Sequence, residues 1–123
     1  MRHFNVLKFK SVKILSHERI KIMNPKIRTE AVDYLFDAIM ELKSKEECYI
    51  FFEDICTINE LLSLSQRFEV ASMLREKKTY LEIAEHTGAS TATISRVNRS
   101  LNYGNDGYDM VLDRMGAKKK KKK

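Results

Sequence analysis

A chain of 123 residues with a formal net charge of +6 is long enough for one hydrophobic core and too short for two independent ones. Trp is absent, Pro occurs once, and strong helix formers dominate, which predicts an all-α domain. No apolar run approaches the roughly 18 residues of a membrane span, and the basic N-terminus lacks the apolar stretch of a secretory signal; a cytoplasmic protein is expected.

The basicity is uneven. Residues 1–22 contribute +5 and the Lys118–Lys123 run +6, which leaves −5 for the residues between them. Net charge alone therefore does not make the folded part a nucleic-acid binder. Within that part, residues 30–69 hold ten acids against Lys43, Lys45 and Arg67. Residues 75–103 hold Arg75, Lys77, Lys78, Arg96 and Arg99 against Glu76, Glu82 and Glu85. One end of the domain is positive and would face phosphate first.

Residues 1–24 show no helical period and read as a disordered extension. Met23 directly precedes the start of regular patterning and is read as a candidate initiator, which the intact mass of the natively expressed protein tests. Pro25 suits the position just ahead of a helix. Val32, Leu35, Phe36, Ile39 and Leu42 then repeat at helical spacing and predict an amphipathic helix from Thr29 to about Lys43. Ser44 caps a second helix, in which Cys48, Phe51, Phe52 and Ile55 share one side. Cys48 and Cys56 are expected as two buried thiols rather than a disulfide. His3, His17 and His86 make no ligand spacing with them, so neither a metal nor a cofactor is expected.

Thr57-Ile58-Asn59-Glu60 has the form of a capping box. It opens a third helix with Leu61, Leu64, Phe68, Ala71 and Leu74 on its stripe, ending at Glu76-Lys77-Lys78. Three helices with such wide apolar faces exceed what a small monomer can cover, and each large side chain left in water forfeits about 1.5–3 kcal/mol. A homodimer sharing these helices is expected; the alternative is closure as a monomeric core.

The stretch from about Thr79 to Leu101 reads as a helix-turn-helix. Ile83 and the small Ala84 fall where the first short helix crosses the second. Gly88 stands where a helix must stop in a left-handed conformation. Ser90 can cap the next helix by accepting from the backbone N–H near Thr93. Ile94, Val97 and Leu101 repeat inward, leaving Thr91, Ala92, Ser95, Arg96 and Arg99 outward. Arginine can make two hydrogen bonds to a guanine edge, and Thr and Ala methyls can pack on a thymine methyl. The Ser90-capped end, with Thr91, Ala92 and Thr93 in its first turn, offers N–H groups to phosphate. Lys77 and Lys78 are expected backbone contacts, which set register without reading sequence. The expected partner is double-stranded DNA. No histidine lies near a plausible nucleophile and no acid pair appears, so no catalytic residue is assigned and an enzyme is not expected.

Glu60-Leu61 to Arg67, Met73-Leu74-Arg75, Gly88-Ala89-Ser90-Thr91-Ala92-Thr93-Ile94-Ser95-Arg96 and Ser100-Leu101 together resemble the Trp repressor family. The pattern is most similar to its YerC/YecD branch, which also carries Glu46-Glu47-Cys48, Cys56-Thr57-Ile58-Asn59-Glu60 and Asn102-Tyr103-Gly104-Asn105. The resemblance covers roughly Pro25 to Met115. It implies a Trp-repressor-like helical bundle forming an intertwined homodimer, which binds operator DNA and represses transcription. It also implies a ligand site for L-tryptophan, at which Arg96 and Ser100 match family positions and Arg67 is matched with a spacing that differs by one. Val97 departs from the family, which has a glycine there. A branched side chain should fill that space, so L-tryptophan is not expected to bind.

Asp106 is read as the cap of a last helix, with Tyr108, Val111, Leu112 and Met115 on one side, ended by Gly116. In the resembling family such a helix closes the dimer. Residues 117–123 are expected to be a disordered poly-Lys tail, either a salt-dependent contact to DNA or a low-complexity addition. The leading expectation is a sequence-specific regulator acting as a homodimer. The alternative is a helical protein-interaction module with the same fold.

Overall fold

The computed structural model describes residues 24–122, with side chains through Gly116. The arm expected over residues 1–23 lies outside the described residues. Among those described there are six α-helices and no strand. The chain divides into two units at Asp37/Ala38.

In the first unit, Asn24 accepts from the Lys26 N–H at 2.9 Å and opens a 3-10 turn at Pro25–Ile27, with Pro25 at its start as expected. Helix α1 follows at Glu30–Ile39, its last two residues, Ala38 and Ile39, belonging to the second unit. It stops short of Lys43, because the chain tightens into a turn in which Glu41 and Leu42 donate to the carbonyls of Ala38 and Ile39. No residue of α1 is fully buried.

The second unit holds α2 (Lys45–Ile55), α3 (Ile58–Arg75), α4 (Tyr80–Thr87), α5 (Thr91–Tyr103) and α6 (Gly107–Lys122). Local chemistry sets most of the boundaries. Ser44 accepts from the Glu47 N–H at 3.1 Å. Thr57 and Glu60 form the predicted capping box, their two bonds measuring 3.1 and 2.8 Å. Each supplies a partner to an N–H that the first turn of a helix leaves open. At the other end of α3, Lys77 donates to Leu74 O and Lys78 to Met73 O, with Lys77 left-handed at φ 65°. This is a Schellman ending whose usual glycine is replaced by lysine.

Helix α3 is the strut, touching α4, α5 and α6, while α5 also packs on α4 and α6. The core comprises Val70 and Ala71 from α3, Ile83 from α4, Ala89 from the turn, and Ile94 and Val97 from α5. Met73, Leu74, Ala84 and Tyr108 flank it. Full burial of Val70, Ile83, Ile94 and Val97 contributes about 1.5–3 kcal/mol each. All of this core lies around the helix-turn-helix.

Four further expectations need correction. The stripe of α3 is buried only in its C-terminal half: Val70 joins Ala71 in the core, while Leu64 is exposed and Leu61 and Phe68 are half-buried. The thiols are not buried, Cys48 being exposed and Cys56 intermediate, because α2 buries no residue fully within one chain. Asp106 opens α6 through its carbonyl, which accepts from Met110 at 2.9 Å, and its φ of 62° is left-handed where a side-chain cap would be extended. Finally, α6 continues through Gly116 to Lys122. A helical glycine costs only about 1 kcal/mol against alanine, and lysines near a helix C-terminus suit its dipole.

Candidate nucleic-acid interface

The helix-turn-helix is held from both ends. At the start of α4, Thr79 accepts from Glu82 N at 3.1 Å and Glu82 accepts from Thr79 N at 2.8 Å. The hydrogen bond from the Thr79 backbone, with smaller help from the Thr79 hydroxyl and nearby Lys78, holds the Glu82 carboxyl below its ordinary pKa. This second capping box is absent from the sequence-based expectations, although Thr-x-x-Glu is a legible signal. At the end of α4, Gly88 is left-handed at φ 73° and donates to Ala84 O. A Cβ there would meet no neighbouring atom, so the requirement is backbone conformation alone.

The turn has a polar hub at Thr87. Its hydroxyl donates to Ile83 O at 2.7 Å and accepts from Ala89 N at 3.1 Å. Its carbonyl accepts from Gln66 Nε2 at 3.1 Å, a partly buried bond reaching back to α3. Sequence does not single out Gln66, because no local pattern points to a bond that spans 21 residues.

Ser90 then caps α5, accepting from Thr93 N at 3.1 Å while its hydroxyl donates to Thr93 Oγ1 at 3.1 Å. Ile94 is fully buried and Val97 is 2% exposed, so the inward face is as expected; Leu101 is half-buried. Thr91, Ala92, Ser95, Arg96 and Arg99 are exposed together with Ser90, and Thr93 is half-buried. Ala92, Ser95, Arg96 and Arg99 share one face at i, i+3, i+4 and i+7. Among the described residues neither Arg96 nor Arg99 forms an ion pair, which leaves two cations on a surface of small side chains. At the far end, a Cβ on Gly104 would run into the Ser100 carbonyl, so the stop after Tyr103 depends on that glycine.

Lys77 and Lys78 are exposed on the turn before α4. They line a cleft with Asn98, Leu101 and Asn102, beside the C-terminal half of α5. Arg75, one of the cations at the positive end, has its charge engaged: Nη2 lies 2.6 Å from Asp113 and Nε 3.3 Å from Asp109. Hydrogen bonding to Asp113 raises the pKa of Arg75.

Of the family's ligand positions, Arg96 and Ser100 lie one turn apart and exposed on α5, while Arg67 is half-buried on α3. No hydrogen bond or ion pair joins these three among the described residues. Val97 sits in the core with Val70, Ile83 and Ile94, so the space that a smaller residue would leave is occupied.

A family model described as Trp repressor protein matches residues 30–116. The YerC protein of Bacillus subtilis (strain 168) is 63% identical over 90 residues, covering 73% of this chain and 86% of that protein. A TrpR-like protein from Eubacterium eligens ATCC 27750, known from its crystal structure, superimposes with a TM-score of 0.74 at 73% identity, covering 76% of this chain and 96% of that one. A Trp repressor-type structure from Staphylococcus aureus gives 0.73 at 59% identity, covering 75% and 92%. With the family pattern running through the capped helices, the turn and the closing helix alike, this chain belongs to the Trp repressor family.

Proposed function

We propose that this chain is a cytoplasmic transcription repressor that reads operator DNA in the major groove with α5, as a homodimer. The Trp repressor family is one of helix-turn-helix DNA-binding regulators, and the observation that carries the finer reading is the outward face of α5. There Thr91, Ala92, Ser95, Arg96 and Arg99 are exposed on a helix whose opposite side is locked into the core by Ile94 and Val97. Arg96 and Arg99 supply donors for guanine, and the small side chains let the helix approach the bases. The capped N-terminus of α5 presents N–H groups to a phosphate, and Lys77 and Lys78 hold the flanking backbone. L-Tryptophan is not the trigger of this reader, because Val97 fills its place.

The dimer is supported by what one chain leaves uncovered. Tyr49, Ile50, Ile55, Ile58, Leu62 and Leu64 on α2 and the first half of α3 are all exposed, and α2 buries nothing fully. A second copy covering those side chains removes a liability of about 1.5–3 kcal/mol for each. It also sets two readers about one helical turn of DNA apart.

Genome-wide occupancy of the tagged protein, followed by footprinting, identifies the operator. Arg96→Ala and Arg99→Ala should each then weaken specific binding by about 1–3 kcal/mol for every base that the arginine reads. Variants that keep full affinity and selectivity would sink the reading and favour a protein-interaction module.

A further inference from the structure

We infer that Gln66 is a positioning residue for the reading helix, acting through Thr87 and touching no DNA itself. The inference rests on the DNA-reading proposal and extends it to α3. Thr87 ends α4, so its carbonyl is among the last four that have no partner within the helix. Water does not have free access to it, because the bond it accepts from Gln66 Nε2, at 3.1 Å, is partly buried. Gln66 lies four residues before Val70, one helical turn along the same side of α3, and Val70 is a fully buried anchor of the core. The amide is thus aimed at the turn from the helix against which the reader packs.

What Thr87 does next transmits that placement. The same residue's hydroxyl bridges Ile83 O and Ala89 N across Gly88, and Ala89 is 5% exposed. Ser90, which caps α5, follows immediately. Hydrogen bonds to α3, to α4 and to the turn residue just before the cap of α5 therefore meet at one threonine. Displacing its carbonyl shifts Ala89, and with it the first turn of α5, where Thr91 and Ala92 are presented. Gly88 supplies no side chain to resist such a shift, and among the described residues the Gln66 bond is the hydrogen bond that ties this turn to α3.

The test uses the full chain and a duplex selected from a random pool by the wild-type protein. Gln66→Met keeps the length of the side chain and removes the donor; Gln66→Glu sets an acceptor against the Thr87 carbonyl. Gln66→Met should lower the ratio of selected to scrambled duplex affinity about 2- to 10-fold, and Gln66→Glu more. Amide exchange at Ala89 should quicken in the same variants, with thermal unfolding showing that they remain folded. If Gln66→Met leaves the ratio or the Ala89 exchange at the wild-type value, this role for Gln66 is wrong while the DNA reading stands. An equal loss on both duplexes marks a merely structural part and overturns the role too. A wild-type chain that selects no sequence overturns the reading itself and this role with it.

Discussion

The guanidinium of Arg75, in the last turn of α3, lies 2.6 Å from the carboxylate of Asp113 in α6, joining residues 38 positions apart. Asp109 adds a second carboxylate at 3.3 Å and a carbonyl acceptor at 3.3 Å. Arg75 is thereby withdrawn from the cationic end of the domain and used to hold α6, which also meets α3 through Phe68 and Tyr108 at 6.3 Å. Asp113→Ala should loosen α6 while leaving the reader folded. The urea midpoint should fall modestly, since the Asp113 side chain is 66% exposed and exposed pairs are weak. The difference from wild type should shrink in high salt. A difference that persists at molar salt would mean that packing rather than charge is responsible.

Acid should weaken the helix starts. The backbone hydrogen bond from Thr57, followed by that from its hydroxyl, lowers the pKa of Glu60, and Thr79 does the same for Glu82. A carboxyl whose folded pKa is depressed adds stability above its unfolded pKa, and that contribution is lost as pH falls through the folded value. Stability should therefore decline as the solution is acidified below the ordinary glutamate range. In Glu60→Gln and Glu82→Gln this acid limb should flatten, because the glutamine caps without titrating. Thr79→Ala removes the cap itself and should cost about 1 kcal/mol at neutral pH. Urea unfolding across the acid range checks both, and identical acid limbs in wild type and both glutamine variants would refute the linkage.

These local devices are what the sequence makes legible. Ser44, Thr57, Gly88 and Ser90 each act within four residues of themselves, so residue type and spacing suffice to find them. Gln66 with Thr87, and Arg75 with Asp113, are legible only once α3 has been placed against α4 and α6. The α3 stripe departs from its expected burial for a related reason. Periodicity marks Leu61, Leu64 and Phe68 as one apolar face, but it cannot say whether the chain itself or a second copy covers that face. The same ambiguity explains Cys48, which an apolar neighbourhood suggests is buried and which one chain leaves exposed.

Lys77 offers a separation of stability from binding. Its φ of 65° is a conformation that a side chain resists and glycine does not. Lys77→Gly should therefore stabilise the fold by about 0.5–1 kcal/mol. If Lys77 holds a phosphate, its removal should weaken selected and scrambled duplexes alike and reduce the salt slope of binding by about 0.9. Denaturation and salt-titrated binding measured on the same preparation check this. A variant that is more stable and binds unchanged removes Lys77 from the interface.

The proposed block at Val97 can be tested directly. Val97 is 2% exposed and packs with Val70, Ile83 and Ile94, in an interior where added volume has no room. Calorimetry of the wild-type chain with L-tryptophan should give no binding heat, and a micromolar affinity would refute the block. Val97→Gly is the informative partner experiment. Removing the buried isopropyl group should cost about 1–3 kcal/mol from lost packing, with about 1 kcal/mol more from glycine inside a helix. If the variant still folds and binds L-tryptophan where the wild type does not, the branched side chain alone closes the site. If neither binds, Arg67, Arg96 and Ser100 do not make a tryptophan site in this chain even with the space restored. The search for a trigger then moves away from the inward face of α5.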